Sequence, residues 1–184
     1  MLTKEEALDL VKRNVKKKNI VNHMLAVEAI MRSLARHLVE NGDLWGLTGL
    51  LHDIDYEKTV RTPKKHATLA EGILKNTVPK EVHRAIIAHN FQYTHVTPET
   101  RMEKALIACD AISGLLVASA LVMPSKKLKD VKVKTVTKKY KDKDFARGAD
   151  RKRILFCEEI RVLKEEFFEI ALNGLKNVAT ELGL

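Results

Sequence analysis

A few residues in this sequence are expensive to bury alone and yet sit in apolar surroundings: His23, the doublet His52-Asp53, and Asp110. The doublet closes the run Leu44-Trp-Gly-Leu-Thr-Gly-Leu-Leu51. An imidazole and a carboxylate at the end of such a run must leave water together, which needs strong partners. A divalent cation is such a partner. Neighbouring residues on a helix point about 100° apart, so both grip one ion only in a crevice where other helices bring more ligands. His23 lies beside Val21, Met24 and Val27, and Asp110 lies inside Ala105-Leu-Ile-Ala-Cys-Asp-Ala-Ile112. Taken singly, a satisfied core histidine or a carboxylate bonded to a neighbouring helix explains either residue. Taken together, they read as a metal site.

His66 and His89 are candidates of second rank, for a second ion or for contact with an anionic substrate. Each alone reads more often as a surface histidine at a helix end. His37 falls on nearly the same helical face as His23, but fourteen residues of helix separate them by roughly 21 Å, too far to share an ion. His83 and His95 read as solvated. Cys109 and Cys157 form no CxxC pair and read as reduced core residues.

Helices must position these groups. Thr3-Lys-Glu-Glu6 is a capping box that opens a first helix, ended by Lys16–Lys18 and Asn19. A second runs from about 20 to 40, its stripe of Val21, Met24, Val27, Ile30, Met31, Leu34 and Leu38 recurring every three or four residues. Asn41-Gly42 stops it, and Asp43 caps a central third helix over about 44–53. Further helices are expected over about 65–75, 79–90 and from Thr97 to Val122, where Pro124 stops the last. The alternation Val131-Lys-Val-Lys-Thr-Val136 permits a strand, but its lysines and isolation favour short helical turns. One or two amphipathic helices complete the tail. The expectation is a single all-α domain over 1–184, with the site in about 20–122, a basic segment over 123–153 and C-terminal helices over 154–184.

The chain is 184 residues long with a net charge of +9, and its position is informative. Met123–Arg153 holds thirteen Lys/Arg against four Asp/Glu, so this one segment carries the whole excess. Such a segment attracts phosphates or is simply a solvated face. The N-terminus shows no apolar signal region, and Ala105–Met123 reads as a buried helix interrupted by Asp110. A cytoplasmic protein without a membrane span is expected.

The order His23, His52-Asp53, Asp110 across separate helices resembles the HD superfamily of metal-dependent phosphohydrolases, whose pattern is H…HD…D on a helical fold. Leu50-Leu-His-Asp-Ile-Asp-Tyr56 is similar to its core segment, with Asp55 in place of the usual small residue. His66 with Ala67 and Glu71-Gly72 resembles the added histidine of members holding two metals. Arg84-Ala-Ile-Ile-Ala-His89 resembles a second such segment, with Asn90 where many carry another histidine. The run from Pro124 through Phe145 is similar to a poorly characterised branch of predicted HD hydrolases.

The resemblance implies an HD-domain helical bundle, one or two divalent ions, and hydrolysis of a phosphomonoester or phosphodiester, with a nucleotide or related small phosphate compound as substrate. Imidazoles with carboxylates suit Mn, Co, Fe, Ni or Zn, with Mg preferring oxygen ligands. Asp53 would orient the attacking water, and Asp55 and Glu57 are candidates for general acid or base. Lys126 and Lys129, just past the helix of Asp110, are candidates to clamp the anionic substrate. Homo-oligomerisation is left open. Two other functions compete: a non-catalytic nucleotide-binding regulatory module, and a nucleic-acid-binding protein using the basic segment. Few aromatics and no helix-turn-helix or RNA-binding motif weigh against the last.

Overall fold

The Thr3 side chain accepts from the Glu6 amide while the Glu6 carboxylate accepts from the Thr3 amide, so the chain opens on the reciprocal cap its sequence encodes. The computed structural model describes residues 2–184. This cap begins α1 (Lys4–Asn14), which is followed by the long α2 (Lys18–His37). Asn41 accepts from the amides of Asp43 and Leu44 and starts α3 (Gly42–Leu51). Beyond the turn carrying His52 and Asp53 come α4 (Tyr56–Thr59), a 3-10 turn at Pro63–Lys65, α5 (Thr68–Leu74), α6 (Lys80–His89) and α7 (Phe91–Thr94). A second capping box, Thr100 with Glu103, opens α8 (Arg101–Leu121), three residues later than Thr97-Pro98 suggests.

The basic segment folds into a 3-10 turn at Leu128–Asp130 and α9 (Val133–Lys141), so Val131–Val136 forms no strand. The tail holds four helices, more than the periodicity predicts: α10 (Arg151–Ile154), α11 (Phe156–Glu159), α12 (Lys164–Lys176) and α13 (Ala179–Leu182). Among the described residues there is no strand, and the protein is an all-α bundle.

α3 is the centre of the bundle, with every residue from Trp45 to Leu51 buried. It packs along α2, α8 crosses both, α6 packs on α8 and α3, and α12 covers α2. One contiguous apolar cluster runs from Ala7 on α1 to Leu182 on α13. Gly49 sets the closest approach: a Cβ there would stand 2.9 Å from the Val27 carbonyl and 3.0 Å from the Glu28 Cα, both backbone atoms of α2. That contact brings the end of α3 against α2 and so carries His52 toward His23. α8 is the one described helix long and apolar enough to cross a membrane, and it lies mostly buried inside the domain.

The predicted helix over 65–75 is broken instead. His66 is extended, Ala67 has φ +69°, and α5 begins at Thr68. The buried Asp55 carboxylate explains the break. One oxygen accepts from the Ala70 amide in the first turn of α5 (2.9 Å), and the other from His66 (2.8 Å). A carboxylate capping from a distance starts the helix late and leaves His66 free to turn inward. The sparsely allowed backbone of Ala67 is held by these contacts.

Candidate metal centre

Four histidines and two aspartates converge where α2, the end of α3, the α5 approach, α6 and α8 meet. His23 (α2) and His52 (after α3) bring their Nε2 atoms to 3.2 Å of each other. Around them, Asp53 Oδ1 is 3.4 Å from His52 Nε2, Asp53 Oδ2 is 3.6 Å from His23 Nε2, and Asp110 Oδ1 is 3.3 and 3.8 Å from His23 and His52. On the other side of Asp53, His66 and His89 bring their Nε2 atoms to 3.0 Å, and Oδ1 lies 3.2 and 3.8 Å from them. His23, His52 and Asp53 form one group able to hold an ion, and Asp53, His66 and His89 a second, with Asp53 common to both.

The distances suit metal ligation. Bonds of about 2.0–2.2 Å at tetrahedral or octahedral angles place ligand atoms roughly 2.8–3.6 Å apart. The proton positions suit it as well. His52 Nδ1 donates to the Gly49 carbonyl (2.8 Å), His89 Nδ1 donates to the Ile86 carbonyl, and His66 Nδ1 donates to Asp55. The Ser113 hydroxyl spends its one proton on the Asp110 carbonyl (2.8 Å), so it must accept from His23 Nδ1 (3.1 Å). Every Nδ1 is thus committed, and the neutral rings turn four bare Nε2 lone pairs on one another. Lone pairs at 3.0 and 3.2 Å need a cation or a proton between them. His66 has the carboxylate–histidine arrangement that orients metal ligands.

Other buried carboxylates show the contrast. Glu28 is paired with Arg32 (2.9 Å) and Lys4 (3.2 Å), and Glu103 accepts the amides of Glu99 and Thr100. Those have ordinary structural partners, whereas Asp53 and Asp110 face histidines.

Charges follow. Burial works to raise the Asp53 carboxyl, but the His52 charge and the His66 and His89 hydrogen bonds outweigh it and hold it well below the usual range. Asp110 is likewise held low against burial, through His23 and His52. Burial lowers His52, yet Asp53 and Asp110 carry it above its ordinary value. His89 is pushed down, by burial first and then by the charges of His66 and His52. Burial also lowers His66, but hydrogen bonds and charge from Asp53 and Asp55 dominate and raise it to about 9. In the metal-free protein, then, protons stand in for the cations.

This sets a pH dependence of two signs. The His66 contribution to metal-free stability is fully present below its ordinary 6.5 and is lost as pH rises through about 9. Metal uptake must displace the same proton, so apparent affinity at that position rises with pH, by about tenfold per unit below the raised value. Thermal melts of chelated protein and metal titrations over pH 6–9 should therefore run in opposite directions. Parallel trends would show that His66 does not carry the exchanged proton.

Some expectations need correction. Asp55 is fully buried with both oxygens engaged by His66 and Ala70, so it orients a ligand and is not placed as a general acid or base. Glu57 accepts the amides of Lys16 (2.6 Å) and Lys17 (3.2 Å) ahead of α2, and these bonds hold its carboxyl below the usual range. It braces a helix junction and makes no contact with the cluster. Lys126 and Lys129 are exposed beyond the far end of α8, which runs eleven residues, roughly 16 Å, past Asp110. His37 pairs with Glu166 on the surface (3.3 Å).

The opposite end of the basic segment reaches the site instead. Arg153, on α10, sets its Nη2 3.3 Å from Asp110 Oδ2 and 2.7 Å from the His89 carbonyl. Its Nε is buried without a hydrogen-bond partner. Arg151 holds that end in place by donating to the carbonyls of Tyr140, Ala146 and Ala149, among others. A chamber of about 160 Å³ opens beside the cluster, bounded by His23, Asp110, Gly114, Ala149 and Arg153. Sequence reasoning missed Arg153, one of thirteen cations in its segment with nothing to set it apart. It also missed Ser113, although a serine three residues after Asp110 in so apolar a helix carried a readable signal.

No curated protein and no solved structure matches the chain. The family model of the HD domain matches residues 20–115. That stretch is just over half of the chain and includes His23, His52, Asp53, His66, His89 and Asp110, while Arg153 lies outside it. The chain belongs to the HD domain family, whose members are generally metal-dependent phosphohydrolases.

Proposed function

We propose that this protein is a divalent-metal-dependent hydrolase of a small phosphomonoester or phosphodiester, with nucleotides the class that the family resemblance carries. The observation that supports it best is the convergence of four Nε2 atoms and two carboxylates in one cluster, beside a chamber lined by His23, Asp110 and Arg153. Divalent ions held by His23, His52, Asp53 and Asp110, and by Asp53, His66 and His89, would supply Lewis acidity and a water of lowered pKa.

The chain's own residues do the rest. Asp53 joins the two ligand groups and fixes their separation. Asp55, Ser113 and the Gly49 and Ile86 carbonyls hold the imidazoles in the ligating tautomer. Arg153, anchored through Nη2 and lining the chamber, would set its guanidinium charge beside a phosphoryl group there. A cytoplasmic location accords with the two free buried thiols, Cys109 and Cys157.

Metal analysis of the purified protein, followed by phosphatase assays with Mn²⁺, Co²⁺ and Mg²⁺ over small phosphate esters and nucleotides, tests the reading. Metal-free protein that stays inert with every ion would overturn it. Arg153→Leu removes charge-assisted hydrogen bonds worth about 1.5–3 kcal/mol, so KM should rise roughly 10- to 100-fold. Lys126→Gln with Lys129→Gln should change it little. The reverse ranking would return the substrate clamp to the start of the basic segment.

A further inference from the structure

A second cavity adjoins the metal centre. It measures about 320 Å³ and lies between α2 and α8, lined by Asn22, His23, Gly114, Val117, Leu121 and Leu182 among others. It shares His23 and Gly114 with the smaller chamber that holds Asp110 and Arg153, so the two adjoin at these residues. Its walls are mainly aliphatic, and its outer rim is Leu121, left 51% exposed.

Gly114 is the second observation. It lies inside α8, where glycine is unfavourable compared with alanine. No close approach requires it: a Cβ at 114 would meet no atom within 4 Å. At Gly49, by contrast, backbone stands in the way of a side chain. The space above Gly114 is therefore open, and Gly114 lines both the chamber, whose ionisable groups are His23, Asp110, Asp150 and Arg153, and the apolar cleft.

We propose that this cleft receives the organic group of the substrate and that the group is compact and largely apolar. The phosphoryl group lies at Arg153 and the ligand cluster, and the carbon skeleton crosses Gly114 to pack on Val117. A cavity near the lower end of the usual range for small-molecule sites takes a ring or a short branched chain. The proposal rests on the phosphohydrolase reading but departs from the nucleotide class that the family resemblance carries, naming instead an apolar, for example aryl, phosphate ester.

The test uses the Mn²⁺-loaded full chain and two non-hydrolysable probes, phenylphosphonate and methylphosphonate, with dissociation constants measured by calorimetry. Wild type should bind the phenyl probe at least about tenfold more tightly, as apolar pockets discriminate by such factors even over small groups. Gly114→Leu should bring that ratio close to one. Val117→Lys, in the partly buried wall of the cleft one turn past Gly114, should reduce it too and serves if Gly114→Leu fails to fold. Equal binding of both probes by wild type overturns the proposal, as does a ratio that survives both substitutions. Tighter binding of adenosine monophosphate than of phenylphosphonate, insensitive to Gly114→Leu, also overturns it. Turnover of phenyl and methyl phosphate, measured in parallel, separates the two readings. Discrimination between the phosphonates without turnover leaves the cleft and removes the hydrolase. Turnover at equal kcat/KM for both esters leaves the hydrolase and removes the cleft.

Discussion

Asp53→Asn should strip the protein of bound metal and lower its phosphoesterase rate by roughly a thousandfold or more, since several kcal/mol of transition-state stabilisation depend on the ions. Asp53 is the one residue shared by both ligand groups. Its Oδ1 faces His52, His66 and His89, and its Oδ2 faces His23. The amide keeps the shape but loses the charge that four imidazoles share. Loss of the other candidate ligands should be milder, because each belongs to one group only. The metal-free variant should also be less stable than metal-free wild type at neutral pH, since the raised His66 loses one of its two carboxylate partners. Metal content and turnover measured on one preparation decide the matter. Metal content near wild type, with activity intact, would remove Asp53 from the centre.

Asp55→Asn should have the second largest effect, through a different route. The side chain is fully buried between His66 Nδ1 and the Ala70 amide, both donors. Asparagine can offer oxygen to only one of them. If its NH₂ faces His66, Nδ1 must accept and the ring's proton moves to Nε2, the ligating atom. If its NH₂ faces Ala70, a buried amide is left unpaired at the start of α5. Metal affinity at the His66–His89 group should fall about 10- to 100-fold, as for other partners that orient metal ligands. Stability should fall by about 1–3 kcal/mol. The His23–His52 group should still fill, so titration with Mn²⁺ should show one strong class of site in place of two. A general-acid role predicts otherwise: unchanged metal stoichiometry with the loss of one limb of the pH–rate profile.

Most of the helical order is legible in the amino-acid sequence, because its signals are local. The capping box at Thr3, the three-and-four spacing along α2 and the wholly apolar α3 depend on residues within one or two turns of each other. The departures come from competition that local signals do not resolve. The helix predicted over 65–75 breaks at Ala67 because Asp55, remote in sequence, caps α5 and captures His66. α8 starts three residues late because two cap signals compete and Thr100 has the reciprocal glutamate.

The candidate site divides in the same way. Residue type alone singles out His23, His52, Asp53 and Asp110, since ionisable side chains in apolar runs are costly unless they meet. His66 and His89 carry no such mark, being near helix ends where a histidine is ordinarily solvated. Only the bundle turns their Nε2 atoms to within 3.0 Å of one another beside Asp53. The roles of Asp55 and Glu57 lie beyond sequence for the same reason: as neighbours in a loop they look equivalent, yet one is buried against His66 and the other sits at the surface against Lys16 and Lys17.

By itself, then, the sequence determined an all-α chain with four ionisable residues that had to find partners in its interior. Tertiary structure decided that Asp53 stands between two groups of candidate ligands, that Asp55 is bonded to His66 in one of them, and that Arg153, and neither Lys126 nor Lys129, lines the chamber beside them. The physical reason is range. Helix propensity and the cost of burial act through neighbours in the chain, whereas ligand geometry and charge pairing depend on atoms that only packing brings together.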